Sequence, residues 1–432
     1  MTEKRLLRGR LLSFSESPRL AAERAHSYVE DGGLLVVDGK IADIGLFSEV
    51  SARSPGARRD DHSGKLIVPG FIDTHIHYPQ TRVIGSYGAQ LLEWLQKYTF
   101  VEEQKFSDPA HAEHVSKFFL DELFRNGTTT AVVYCTVAPQ SAEAFFTESE
   151  KRGARMIAGK VMMDRNAPPA LTDTPQRGYD ESKALIARWH GRGRLEYAIT
   201  PRFAITSTDA QLAAAGALAK EHPDCYVQTH LSENHAEIAL TKQLYPHARD
   251  YLDVYDRFGL VGPKSIFGHC IHLEDAEVET MAARNGVAAF CPTSNLFLGS
   301  GLFDLRRLDE AGVRSSLATD VGGGTSYSLL QTANEAYKVL QMRGQSWSAL
   351  QAFYQLTLGN ARALGLEGKI GALEIGHEAD FAVLDSRGTP AMAHRMESID
   401  GNLAEELFVL MMMGDDRAVS ETYVAGVRAK AS

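Results

Sequence analysis

The chain has 432 residues, 44% hydrophobic and 23% charged, enough to bury a large core and to form more than one domain. A net charge of -10 excludes the basic footprint that phosphate binding requires, so no nucleic-acid partner is expected. No run of 18 apolar residues predicts a membrane span, and the first thirty residues lack the apolar segment of a secretory signal.

The basic start, Lys4, Arg5, Arg8 and Arg10, reads as a solvated strand end in an otherwise acidic chain. Residues 6–14 form one candidate strand, and 33–41 is a second that meets the Asp38-Gly39 turn. At the other end, 379–385 and 422–428 read as strands as well. Neither end holds enough strands to close a core, and an isolated hairpin is marginal in water. The two ends are therefore expected to join into one small β-sandwich-like domain made of residues 1–66 and 371–432.

Between them, apolar β-type runs alternate with helical stretches, which predicts βα units around a parallel sheet. The runs are 67–77, 128–136, 155–163, 195–203, 226–231, 265–272, 287–292 and 313–320, with helical spacers such as 110–124, 180–189, 209–221, 275–284 and 329–342. Eight such units predict an α/β fold, a (β/α)8 TIM barrel over residues 67–370. The cysteines Cys135, Cys225, Cys270 and Cys291 form no CxxC pair and read as free and reduced, which points to the cytoplasm.

Histidines fall at the ends of these strands. His75 and His77 close the first, His230 the fifth and His269 the sixth, while Asp320 closes the eighth. Strand C-termini of such a barrel converge on one face, where its active sites lie. His75 and His77 stand two apart and so project from one side of a strand. Three imidazoles and a carboxylate suit a tetrahedral zinc ion with room for a water. Singly, each residue has a plainer reading: an HxH as polar filler, and Asp320 before Gly322-Gly323-Gly324 as a turn or, without a following lysine, an incomplete phosphate cradle. Five such residues at barrel-strand ends favour the metal. Glu233, three residues after His230, is placed to move protons beside a zinc-bound water whose pKa is about 7.

The run Pro69-Gly70-Phe71-Ile72-Asp73-Thr74-His75-Ile76-His77 resembles the first-strand signature of the amidohydrolase superfamily. The positions of His230, His269 and Asp320 resemble its mononuclear zinc deaminase branch. The binuclear branch uses a carboxylated lysine on the fourth strand, whereas Lys160 stands on the third and reads as structural. Stretches including His77-Tyr78-Pro79-Gln80, Leu91-Leu92-Glu93-Trp94-Leu95 and Thr200-Pro201-Arg202-Phe203 are similar to the guanine deaminases over almost the full length.

That resemblance implies one Zn2+ per subunit on His75, His77, His230 and Asp320. It also implies a homodimer that takes guanine, a small purine base, and releases xanthine and ammonia. Catalytic roles would fall to Glu233, Asp320 and His269, with His269 either a further ligand or a contact to the attacking hydroxide. Substrate binding would fall to Gln80, Arg202 and Phe203, with Glu233 and His230. Their chemistry suits a purine: Arg202 offers a planar donor fork, Phe203 a stacking face, and Gln80 both a donor and an acceptor. Alternatively, Arg202 pairs with a barrel carboxylate and Phe203 is core. Two other functions stand beside this one: a sister aminohydrolase for an oxidised guanine, an adenosine-type nucleoside, a pterin or a triazine, and a non-catalytic scaffold on the same barrel.

Overall fold

The computed structural model describes residues 4–88, 90–399 and 401–430. Two sheets organise them. The first has seven strands, in the order Val427–Arg428, Val419–Val424, Phe381–Leu384, Arg58–Pro69, Lys4–Phe14, His26–Val37 and Lys40–Leu46, and so is built from both ends of the chain. Strand alternation gives this sheet two buried faces. Leu7, Leu11, Leu34, Val36, Ile67, Phe381 and Val383 pack together on one face. Leu12, Phe14, Leu66, Val68, Ala382 and Leu384 join the large core under the barrel helices on the other. The Asp38-Gly39 hairpin takes positive φ at both residues, 50° and 75°, the conformation that two-residue turns of this kind require.

Eight parallel strands form the barrel: Phe71–His77, Thr128–Tyr134, Arg155–Gly159, Glu196–Pro201, Tyr226–Leu231, Ser265–His269, Val287–Phe290 and Arg314–Leu317. The last strand meets the first through Thr74 Oγ1, which donates to Ser316 Oγ at 2.8 Å, and through Asp320 N, which donates to His75 O at 3.0 Å. The fold is thus an α/β (β/α)8 barrel. Its first strand starts later than the apolar run suggests. Residues 67–69 belong to the seven-stranded sheet, where Val68 pairs with Ala382 and Pro69 with Phe381. The break falls at Gly70, where a Cβ would lie 2.1 Å from Thr129 Oγ1, so the chain passes from sheet to barrel where a side chain has no room.

Inside the barrel, Ile72, Val132, Ile157, Ala198, Tyr226, Ile266 and Val287 fill the interior together with Leu364, Leu366 and Ile370. This packed floor leaves the strand C-termini as the end available for chemistry. The surrounding helices are amphipathic. In Pro109–Arg125, Asp108 caps Ala110 N at 3.0 Å, proline occupies the first turn, and Ala112, Val115, Phe119, Leu120 and Leu123 face inward at helical spacing. Each large apolar side chain buried this way contributes about 1.5–3 kcal/mol. Among the described residues no helix is long and apolar enough to cross a membrane.

Candidate active site

The five residues marked by strand position meet at one barrel mouth. His75 and His77 close the first strand, His230 is the penultimate residue of the fifth, and His269 ends the sixth. Asp320 lies three residues past the eighth strand. All five are buried or nearly so. His75 Nε2 stands 3.3 Å from Asp320 Oδ1, His77 Nε2 3.4 Å from the same oxygen, and His230 Nε2 3.2 Å from His77 Nε2. A tetrahedral ion with bonds of about 2.0–2.1 Å separates its ligand atoms by about 3.3 Å. These three separations are of that size, and His75 with His230 and His269 forms a candidate metal site.

Three further observations support that fit. Both ring nitrogens of His75 are buried without a hydrogen-bond partner, an arrangement that is expensive unless something else binds there. His230 Nδ1 donates to Arg202 O at 2.7 Å, which leaves Nε2 free to act as a ligand. Burial also pushes His75, His77 and His230 toward the neutral form that a metal needs. His269 and Cys291 also bring donor atoms near His75. Burial raises the Cys291 thiol well above its usual value.

The two carboxylates beside the cluster are driven apart. Burial raises Glu233 to about 7, against the lowering pull of His269. Burial would raise Asp320 as well, but its contacts with His75, His269 and His230 outweigh that and hold it at about 2. His269 Nε2 lies 3.3 Å from Glu233 Oε2 and 3.7 Å from Asp320 Oδ2. These two charges outweigh desolvation and shift His269 toward the cation, unlike the other three histidines. His269 Nδ1 donates to Asn295 Oδ1 at 2.9 Å, and Ser300 Oγ donates to Glu233 Oε1 at 2.8 Å.

The backbone here is bent into unusual shapes. Ser232, His269 and Asp320 have φ of 50°, 72° and 50°, the left-handed region, which costs non-glycine residues on the order of 1–3 kcal/mol each. Packing around the mouth holds these turns and aims the side chains inward. Gly268 makes room for the cluster: a Cβ there would lie 2.5 Å from His75 Cε1.

A pocket opens on the cluster, lined by His77, His230, His269, Asp320 and Glu233 together with Gln80, Arg202 and Phe203. The apolar part of its lining is Leu91, Trp94, Leu95 and Leu298. Arg202 does pair with a carboxylate, though not one from a barrel strand: its Nη1 donates to Glu103 Oε2 at 2.5 Å. Phe203 lines the pocket while 5% exposed, and its ring centroid lies 6.1 Å from that of His230. Lys160 is fully buried against Asp173 and Glu181, away from the cluster.

The family "Amidohydrolase family" matches residues 66–429. The chain is an amidohydrolase. It is 51% identical over 400 residues to guanine deaminase of Escherichia coli (strain K12), covering 92% of this chain and 91% of that one. The solved E. coli guanine deaminase superposes with a TM-score of 0.96 at 48% identity, covering 98% of this chain and 99% of that one. Guanine deaminase from C. acetobutylicum, solved with bound guanine in the active site, matches with a TM-score of 0.88 at 29% identity over 99% and 100% of the two chains. Within the amidohydrolases the chain therefore groups with the guanine deaminases.

Some parts of this amidohydrolase site carry no sequence signal. Glu103, Asn295 and Ser300 each touch a site residue, yet none belongs to a motif with chemical spacing. Leu91, Trp94 and Leu95, in the short helical segment Leu91–Trp94 and just after it, belong to a stretch that carries the family resemblance, but only the fold shows that they line the pocket.

Proposed function

We propose that this chain hydrolyses guanine to xanthine and ammonia at a single zinc ion held by His75, His77, His230 and Asp320. The observation that carries the reading is the cluster in which His75 and His77 each stand 3.3–3.4 Å from Asp320 and His230 3.2 Å from His77, beside the pocket that also holds Gln80, Arg202 and Phe203. When bound, zinc supplies Lewis acidity that brings a water to a pKa of about 7. Arg202 and Gln80 bind the polar edge of the base, and Phe203 stacks on its face. Water adds to the carbon that bears the exocyclic amine. Asp320, held ionised, accepts or orients the water's proton.

Glu233, raised to about 7, hands a proton to the adjacent ring nitrogen, takes one back from the added water and passes it to the amine; the C–N bond breaks, ammonia leaves, and the water's other proton restores Glu233. His269 hydrogen-bonds the incoming oxygen rather than ligating zinc. Its Nε2 faces Glu233 Oε2 at 3.3 Å and Asp320 Oδ2 at 3.7 Å, which supports this role. A homodimeric, cytoplasmic enzyme completes the proposal; the four buried, unpaired cysteines suit a reducing compartment.

The test is elemental analysis of the purified protein, combined with ultraviolet monitoring of guanine turnover. An oxidised guanine, adenosine, a pterin and a triazine are assayed in parallel for ammonia release. About one zinc per chain and a clear preference for guanine are expected. A metal-free protein, or faster release from another heterocycle, would overturn the assignment.

A further inference from the structure

Glu103 ends the short helical segment Phe100–Glu103 and is 1% exposed. Both of its carboxylate oxygens are engaged: Oε1 accepts from Gln80 Nε2 at 3.1 Å and Oε2 accepts from Arg202 Nη1 at 2.5 Å. We propose that Glu103 is a positioning residue that fixes how Gln80 and Arg202 address the substrate, so that selection of a keto-purine depends on a carboxylate outside the metal cluster. The inference rests on the guanine reading above.

The argument begins with the amide of Gln80, which has one accepting end and one donating end. An ionised carboxylate only accepts, so Glu103 draws Nε2 toward itself. The backbone N–H of Gly322 only donates, and it reaches Gln80 Oε1 at 3.2 Å. A flipped amide would set oxygen against oxygen and N–H against N–H, losing both bonds. Gln80 is thereby locked from two sides, with the second hydrogen of Nε2 left for the pocket it lines. Gly322 is part of this lock: a Cβ there would lie 2.6 Å from Gln80 O.

Arg202 is held in the same way. Its guanidinium carbon lies 5.4 Å from the centroid of the Phe100 ring, and Glu103 takes a hydrogen at one end of the fork. A buried guanidinium without a counter-charge is strongly unfavourable, and Glu103 provides that charge. Gln80 and Arg202 come from the exits of different barrel strands, and Glu103 bonds to both side chains and so ties one to the other. Both side chains line the pocket, and holding them in fixed positions lets an acceptor on the substrate, such as a ring carbonyl, be recognised without further rearrangement.

The test uses the full-length, zinc-loaded protein. Guanine kinetics are measured together with inhibition by hypoxanthine, which keeps the ring carbonyl, and by purine, which lacks it. Glu103→Gln retains the shape but removes the charge and lets the amides swap ends. It should lower kcat/KM for guanine at least tenfold, mainly through KM, with zinc content unchanged. The preference for hypoxanthine over purine should shrink by a similar factor. Glu103→Asp keeps the charge and should recover part of both quantities; if the Gln variant does not fold, the same ratio measured on the Asp variant decides the matter. In a Gln80→Ala background the effect of Glu103→Gln should become smaller, because one of its two dependents is gone. Equal weakening of both inhibitors, or unchanged guanine kinetics in an active parent, would overturn the positioning role alone. A zinc-loaded parent that does not turn over guanine would overturn the functional reading along with it.

Discussion

Gly268→Ala tests the metal cluster without touching a ligand. The added methyl would sit 2.5 Å from His75 Cε1, whereas ordinary contact begins at 3.4 Å, so the ring must retreat by roughly 0.9 Å or tilt. His75 is fully buried, packed edge-on against the rings of Tyr134, His230 and His269 at 4.8–5.5 Å, and has nowhere to relax. A zinc–nitrogen bond of about 2.0–2.1 Å does not survive a displacement of that size. Changes in residues that orient a ligand typically lower metal affinity 10–100-fold, about 1.4–2.7 kcal/mol, and this variant is expected at the upper end or beyond. Zinc retention after dialysis against graded chelator, and recovery of turnover on adding zinc, measure the effect. Gly262→Ala, where a Cβ meets nothing within 4 Å, is the control and should behave like the parent. Chelator resistance in Gly268→Ala within twofold of the parent would refute the placement of His75 in the ligand set.

Two other outcomes follow from the same structure. Glu233→Gln keeps the volume but cannot cycle a proton, so kcat should fall roughly 10²–10⁴-fold with zinc still bound; turnover within threefold of the parent would remove Glu233 from the mechanism. His62, in the sheet formed by the chain ends, is 6% exposed, and burial and the Arg428 charge push it down to about 4 despite Asp60. Between that value and about 6.5 the unfolded chain binds the extra proton, so stability rises with pH across this window and is lost as pH falls through it. The loss is on the order of 2–3 kcal/mol, and denaturant titration at pH 7 and pH 4.5 should show His62→Gln with a correspondingly flatter acid limb; an unchanged slope would count against it.

Much of the architecture is legible because periodicity and strand ends carry it. The helices Asp209–Glu221, Asp275–Arg284 and Leu329–Met342 begin and end where their patterns do. The ligand candidates are legible because they sit at the ends of apolar strands, where a polar residue is conspicuous. The start of the barrel is not, because 67–69 and 71–72 are equally apolar and only Gly70 separates two different sheets. Glu103 is hidden for a different reason. Its partners are 23 and 99 residues away, and a glutamate in a run of charged residues looks like solvated surface until the chain is folded around it.

Burial decides which group does which task at this site. Two carboxylates share one pocket, yet one sits near 7 and the other near 2. Glu233 is desolvated and, among the described residues, accepts from one neutral donor, Ser300, besides the pull of His269, so its protonated and ionised forms are close in energy at neutral pH. That is the condition for passing a proton in both directions within a single turnover. Asp320 is just as enclosed, but its contact with His75 and the charge that His269 takes up outweigh burial and keep it an anion. Exchanging the two residue types would leave these environments in place, and it is the environments that would separate the proposed ligand from the proposed proton carrier. The left-handed turns at His269 and Asp320 belong to the same design: each costs stability, and each places a residue that lines the pocket.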